Sequence, residues 1–235
     1  MKSFPDKYRH IFFDLDNTIW DFRRNSDETL RELYQTHQLD KLGVKSPEFF
    51  IEKYQARNEL MWEQYRLGKI TKEELRDQRF VYTFWDMGLE ATIAPPELSG
   101  DYIRRSVTKS HLFPHAHETL SYLQSKYTLH IITNGFEEAQ YIKLNSAGLE
   151  KYFVEIIISE HTGYKKPEKE IFIHSMQKAG SIESECLMVG DGLEVDVLGA
   201  MEAGWDAVYF NPLKLPHAEK PTYEIESLDE LRNFL

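Results

Sequence analysis

From Leu129 onward the chain alternates short apolar runs with amphipathic stretches, and this alternation limits the folds open to it. Apolar runs at Leu129 to Ile132, Val154 to Ser159, Leu187 to Val189 and Ala207 to Phe210 are short enough for strands and lack the polar alternation of a half-exposed sheet. Between them, His115 to Lys126, Phe136 to Ala147, Pro167 to Ala179 and Leu193 to Ala203 carry helical periodicity. Strand, helix and strand in regular turn predict a parallel sheet covered by helices on both faces. Gly148, Gly180 and Gly204 each come directly after a helical stretch, where a left-handed cap is wanted.

One further apolar run, Ile11 to Phe13, stands apart near the N-terminus and joins this sheet in the expectation. The next ninety or so residues differ in kind. Trp20 to Ser110 has helical periodicity and no convincing strand, so it reads as a helical insertion after the first strand. Ser46-Pro47 supplies an N-cap and a first-turn proline, Thr71 and Glu74 have capping-box spacing, and Ala94-Pro95-Pro96 precedes a last helix near Leu98 to Thr108. Ser227 and Glu230 repeat the capping-box spacing at the start of a final short helix. The expected fold is α/β, a Rossmann-like parallel sheet flanked by helices, with a core of residues 1–19 and 111–235 and an α-helical cap of residues 20–110.

Composition narrows the function classes. A formal net charge of -11 argues against nucleic-acid polymers and anionic membranes as partners. Cys186 is the only cysteine, so neither an intramolecular disulfide nor a cysteine-based zinc site can form, which fits a reducing compartment. The N-terminal apolar run is too short for a signal peptide or a membrane span, and a cytoplasmic location is the default expectation.

Polar residues gather where the apolar runs end, the edge at which open parallel sheets bind ligands. Asp14 and Asp16 come after the first run, two residues apart, so both can face one pocket while Leu15 points away. Thr133-Asn134-Gly135 ends the second, offering a hydroxyl and backbone N–H groups to phosphate oxygens. Lys165-Lys166-Pro167 places a lysine before a helix, and Gly190-Asp191-Gly192 through Asp196 adds further carboxylates. A carboxylate attacking a phosphate monoester needs a cation and donors to neutralise the phosphoryl oxygens, and magnesium prefers such oxygen ligands. Asp14 and Asp191 are the obvious pair for it.

The ordered set Asp14-x-Asp16-x-Thr18, Thr133-Asn134, Lys166-Pro167 and Gly190-Asp191 resembles the haloacid dehalogenase-like hydrolase superfamily. The resemblance implies a Rossmann-like core with a cap inserted after the first motif. It makes Asp14 the nucleophile that forms an aspartyl-phosphate, and Asp16 the group that protonates the leaving oxygen and then activates water. Thr133 and Lys166 hold the phosphoryl group, and Asn134 is a further candidate to bind phosphate. Magnesium is held by Asp14, the backbone carbonyl of Asp16 and Asp191, with Asp196 nearby or behind them. Asp14 must then be ionised while Asp16 starts as the acid. The lysine before proline, Lys166, is chosen over Lys165, and Gly192 stands where many relatives have serine.

Within that superfamily, Asp14-Leu15-Asp16-Asn17-Thr18-Ile19-Trp20-Asp21-Phe22, together with Thr133 to Gln140 and Gly163 to Phe172, is similar to the YjjG/YfnB-type pyrimidine 5′-nucleotidases. This implies hydrolysis of nucleoside 5′-monophosphates, a small-molecule phosphate ester, with phosphoglycolate or sugar-phosphate hydrolysis and phosphomutase chemistry as alternatives. Asp16 argues against haloacid dehalogenation, and a large cap argues against a phosphate-accepting regulator. Most insertion aromatics read as helix packing, but Trp20 and Phe22, just beyond the catalytic strand, are the better candidates to stack on a base.

Overall fold

The computed structural model describes residues 7–235. The first strand, β1 (His10–Phe13), leads to four helices, α1 (Phe22–Thr36), α2 (Pro47–Arg66), α3 (Lys72–Asp86) and α4 (Leu98–Ser106). Then come α5 (Ala116–Gln124), β2 (Thr128–Thr133), α6 (Glu137–Ser146), β3 (Glu155–Ile158), α7 (Ser159–Thr162) and α8 (Lys169–Ala179). The chain finishes with β4 (Cys186–Gly190), a π-helical turn (Leu193–Leu198), α9 (Gly199–Glu202), β5 (Asp206–Phe210) and β6 (Tyr223–Ile225).

All six strands pair in parallel in the order β3-β2-β1-β4-β5-β6. The order reverses at β1, which lies between β2 and β4, so ligands are expected beyond the carboxyl ends of these strands. Strand side chains alternate faces, and the two cores obey that alternation. Ile11, Phe13, Leu129, Ile131, Leu187 and Val189 pack on one side with Leu120 and Leu123 of α5 and Leu144 of α6. Phe12, Ile132, Met188 and Ala207 pack on the other with Ile171 and Phe172 of α8 and Ala200 of α9. Because both faces are buried, the strands read as unbroken apolar runs.

Contacts divide the chain into two compact units, at Phe22/Arg23 and at Lys109/Ser110. Residues 23–109 have their own core, in which Leu30, Leu33, Phe50, Tyr54, Phe80, Phe84 and Tyr102 are buried. Ser46 caps α2 by accepting from the Phe49 N–H at 3.1 Å, and Thr71 with Glu74 closes the expected capping box on α3. Trp85 departs from the expected packing role and is mostly exposed. In the sheet-bearing unit, the two passages to and from the insertion run antiparallel: Trp20 pairs with Leu112, Asp21 N–H donates to the His111 carbonyl at 3.1 Å, and Phe113 N–H donates to that of Ile19 at 3.0 Å.

Three elements differ from the sequence reading. A sixth strand, β6, adds to the sheet edge. α8 starts at Lys169 rather than Pro167, because Glu168 has a non-helical ψ of 125° and its N–H closes a turn onto the Lys165 carbonyl at 2.7 Å. The helix expected from Leu193 opens instead as a π turn, in which Val197 N–H reaches back to the Gly192 carbonyl at 3.2 Å. No helix among the described residues is long and apolar enough to cross a membrane.

Candidate active site

Asp14 sits directly after β1, and its N–H donates to the Val189 carbonyl of β4 at 2.9 Å, so the strand pairing itself sets the backbone that carries the carboxylate. The chain then turns tightly. Asn17 takes a left-handed conformation with φ 63°, which asparagine tolerates, and the Ile19 and Trp20 N–H groups both return to the Leu15 carbonyl. This turn buries Thr18, whose hydroxyl donates to Asp191 Oδ1 at 3.1 Å and accepts from the Asp191 N–H at 3.0 Å. The ends of β1 and β4 are thereby tied together.

Lys166 is the centre of the site and is almost completely buried. Its Nζ donates to Asp14 Oδ1 at 2.6 Å and to the Ile132 carbonyl at 2.7 Å, and it is ion-paired with Asp196 Oδ1 at 2.7 Å. Lys165, its neighbour, is more exposed. Asn134 clamps the lysine's backbone from both sides, accepting from its N–H and donating to its carbonyl, each at 2.9 Å. Asn134, expected at the phosphate, thus holds the Lys166 backbone with its amide oxygen and one amide N–H.

Asp196 reaches the site through the π turn, which widens the backbone where Gly190 leaves space. A Cβ on Gly190 would lie 2.4 Å from Asp196 Oδ2, an impossible approach. Asp196 Oδ2 also accepts from the Gly192 N–H at 2.9 Å, so at Gly192 the backbone makes the contact.

Carboxylate oxygens of Asp14, Asp191 and Asp196 all lie within 4.8 Å of one another. Burial pushes the Asp14 carboxyl up to about 7, against the pull of Lys166 and with the charges of Asp196 and Asp16 adding to the rise. Burial likewise holds Asp191 well above the usual carboxylate range, reinforced by Asp14 and Asp196. Lys166 is opposed by its burial, yet Asp14 and Asp196 hold its ammonium more firmly charged than usual. Three clustered carboxylates facing one ammonium form a negative, oxygen-only site that fits a hard divalent cation.

Asp16 stands in a separate set of contacts. Lys143 of α6 donates to its Oδ1 at 2.6 Å and its Oδ2 at 2.9 Å, and Gln140 Nε2 donates to Oδ2 at 2.9 Å. Gln140 Nε2 also reaches Thr133 Oγ1 at 3.2 Å, which in addition accepts from the Gly135 N–H at 3.0 Å. Lys143 Nζ sits 4.5 Å from the centre of the Trp20 ring and 5.8 Å from that of Phe22. Trp20, expected to stack on a base, is fully buried here and backs a lysine. Phe22, partly buried, turns to the same lysine. Sequence reasoning missed the roles of Gln140 and Lys143, although a lysine on the buried face of an amphipathic helix was a readable signal.

The haloacid dehalogenase-like hydrolase family model matches residues 8–204. The chain belongs to that family. Membership in the haloacid dehalogenase-like hydrolases makes it an enzyme of the hydrolase class. It is 33% identical to the HAD-hydrolase YfnB of Bacillus subtilis over 233 residues, covering 97% of this chain and 96% of YfnB. It is 34% identical to the pyrimidine 5′-nucleotidase YjjG of Escherichia coli K12, covering 97% and 98%. The pyrimidine 5′-nucleotidase PynA of Streptococcus pneumoniae is 32% identical, with 97% and 95% covered. The crystal structure of YfnB bound to magnesium superimposes with a TM-score of 0.87 at 32% identity, covering 97% of this chain and 98% of that one.

Proposed function

We propose that this hydrolase is a magnesium-dependent phosphohydrolase that cleaves pyrimidine nucleoside 5′-monophosphates through an aspartyl-phosphate on Asp14. The observation that carries the reading is the buried Lys166 ammonium, which joins Asp14 to Asp196 while the Asp191 carboxylate stands within 4.8 Å of both. A nucleophilic carboxylate and an anionic ester repel each other unless positive charge is built in beside them, and here it is. Asp14, Asp191 and the backbone carbonyl of Asp16 would hold magnesium, which would supply the remaining charge neutralisation at the phosphoryl oxygens. Asp196, with one oxygen on Lys166 and the other on Gly192, supports the lysine from behind.

In the first step an Asp14 oxygen bonds to phosphorus, the bond from phosphorus to the ester oxygen breaks, and Asp16 gives that oxygen its proton. In the second, Asp16 takes a proton from water, whose oxygen bonds to phosphorus while the bond to Asp14 breaks. Inorganic phosphate leaves and both aspartates are restored. Thr133 suits a phosphoryl donor: its oxygen accepts from Gly135 and Gln140, and among the described residues its own proton is donated to no protein atom. Lys166 donates to Asp14 and to the Ile132 carbonyl and is ion-paired with Asp196, so it neutralises and orients Asp14 beside the phosphoryl group.

The substrate class rests on the similarity to YjjG and PynA along nearly the whole chain. Its test is phosphate release with magnesium from a panel containing UMP, dUMP, dTMP, phosphoglycolate and hexose phosphates. The nucleotides are expected to be turned over best; a clear preference for the hexose phosphates or phosphoglycolate overturns the nucleotidase reading.

A further inference from the structure

Asp16 is held by three donor contacts, a dense arrangement for a carboxylate in a site that must move protons. Two come from the Lys143 ammonium, at 2.6 and 2.9 Å, and one from Gln140 Nε2 at 2.9 Å. Both residues stand on one face of α6, three positions apart, so a single rigid helix presents them together. Lys143 is only 6% exposed, and Asp16 is its one carboxylate partner among the described residues. A buried ammonium is costly unless paired, so the position of one group dictates that of the other. The Trp20 and Phe22 rings back the ammonium and limit where else it can go.

Gln140 adds a second constraint. Its amide nitrogen, which must face the carboxylate because a carboxylate oxygen accepts, is shared between Asp16 Oδ2 and Thr133 Oγ1. The proton-transfer group and the phosphoryl donor are thus tied to one side chain. Gly135 is shaped for this contact, since a Cβ there would fall 1.5 Å from Gln140 Nε2.

We propose that Lys143, with Gln140, is a positioning residue for Asp16: it sets where the carboxyl that serves the leaving oxygen stands, without touching the reacting atoms itself. The inference rests on Asp16 being the proton-transfer group in phosphate ester hydrolysis. Its signature is dependence on the leaving group. An alkyl ester oxygen needs a proton as it departs, whereas the phenolate of 4-nitrophenyl phosphate leaves without one.

The test compares wild type, Lys143→Met, Lys143→Arg and Gln140→Leu with magnesium on two esters: 4-nitrophenyl phosphate and the alkyl phosphate that the wild type turns over best. The readout is kcat/KM, which reports events up to release of the leaving group. Lys143→Met is expected to lose about 100-fold on the alkyl ester and only a few-fold on the aryl one, Lys143→Arg to recover most of that loss, and Gln140→Leu to show the same pattern more weakly. A crystal structure of Lys143→Met is expected to show the Asp16 carboxyl displaced. Equal losses on both esters, no loss on the alkyl ester, or an unmoved Asp16 carboxyl overturns the inference and leaves the phosphohydrolase reading standing. Failure of the wild type to release phosphate from either ester sinks that reading, and the inference with it.

Discussion

Asp14 is a carboxylate that burial and two like charges make harder to ionise, and Lys166 alone among nearby side chains pulls the other way. Asp14→Asn keeps the shape and removes the nucleophile, so phosphate release is expected to fall at least about 1,000-fold with the circular dichroism spectrum unchanged. Comparable turnover by the variant contradicts the assigned role. His130 makes a different demand, on stability rather than catalysis. It is buried in β2, stacked on Phe12 and hydrogen-bonded through Nε2 to His10 Nδ1 at 3.0 Å. Burial, then the neighbouring His10, pushes its imidazole down to about 4 from 6.5, with Lys178 adding to the fall and Glu155 opposing it. The unfolded chain therefore takes up a proton near pH 6.5 that the folded chain refuses until about pH 4. The stabilisation is complete above that window and is lost as pH falls through it, by on the order of 3 kcal/mol. Denaturant unfolding between about pH 7 and pH 4 checks this: His130→Leu is expected to flatten the slope, and an unchanged slope assigns it to other groups.

At the scale of elements, the strands were the most legible part, because burial on both faces forces unbroken apolar runs. The capping boxes at Thr71 and Ser227 were equally readable, since each is a local contact over three residues. β6 was not, as Tyr-Glu-Ile has no apolar run and pairs only at the sheet edge. The π turn was hidden for another reason: Leu193 to Ala203 satisfies helical periodicity, and the wider turn is met only in the packed chain, where Asp196 reaches Lys166. Packing at the end of that turn is close. A Cβ on Gly199 would come within 2.9 Å of the Pro167 Cα, a backbone atom with little room to yield. Gly199→Ala is expected to destabilise the fold by about 1–3 kcal/mol, read as a lower midpoint in denaturant unfolding. An unchanged midpoint refutes the close approach.

Across the whole molecule, one sheet edge collects residues that are up to 182 positions apart in sequence, from Asp14 to Asp196. On the proposed function, a cation held between Asp14 and Asp191 would bind the folded chain and not the unfolded one, so magnesium is expected to raise the thermal midpoint. At about 100 times its dissociation constant the gain is about 2.7 kcal/mol, and Asp191→Asn is expected to abolish it. A magnesium-independent melting curve for the wild type rejects the site. Local sequence was enough to read the parallel sheet, the helical insertion and the placing of Asp14, Asp16, Thr133, Lys166 and Asp191 at or just beyond strand ends, because each signal lies in a few consecutive residues. The partners of those residues came only with the packed chain. Whether Asn134 meets phosphate or clamps a lysine, whether Trp20 faces a base or an ammonium, and which residues hold Asp16 depend on side chains brought together across the sheet by parallel pairing, and local sequence carries no record of those distances.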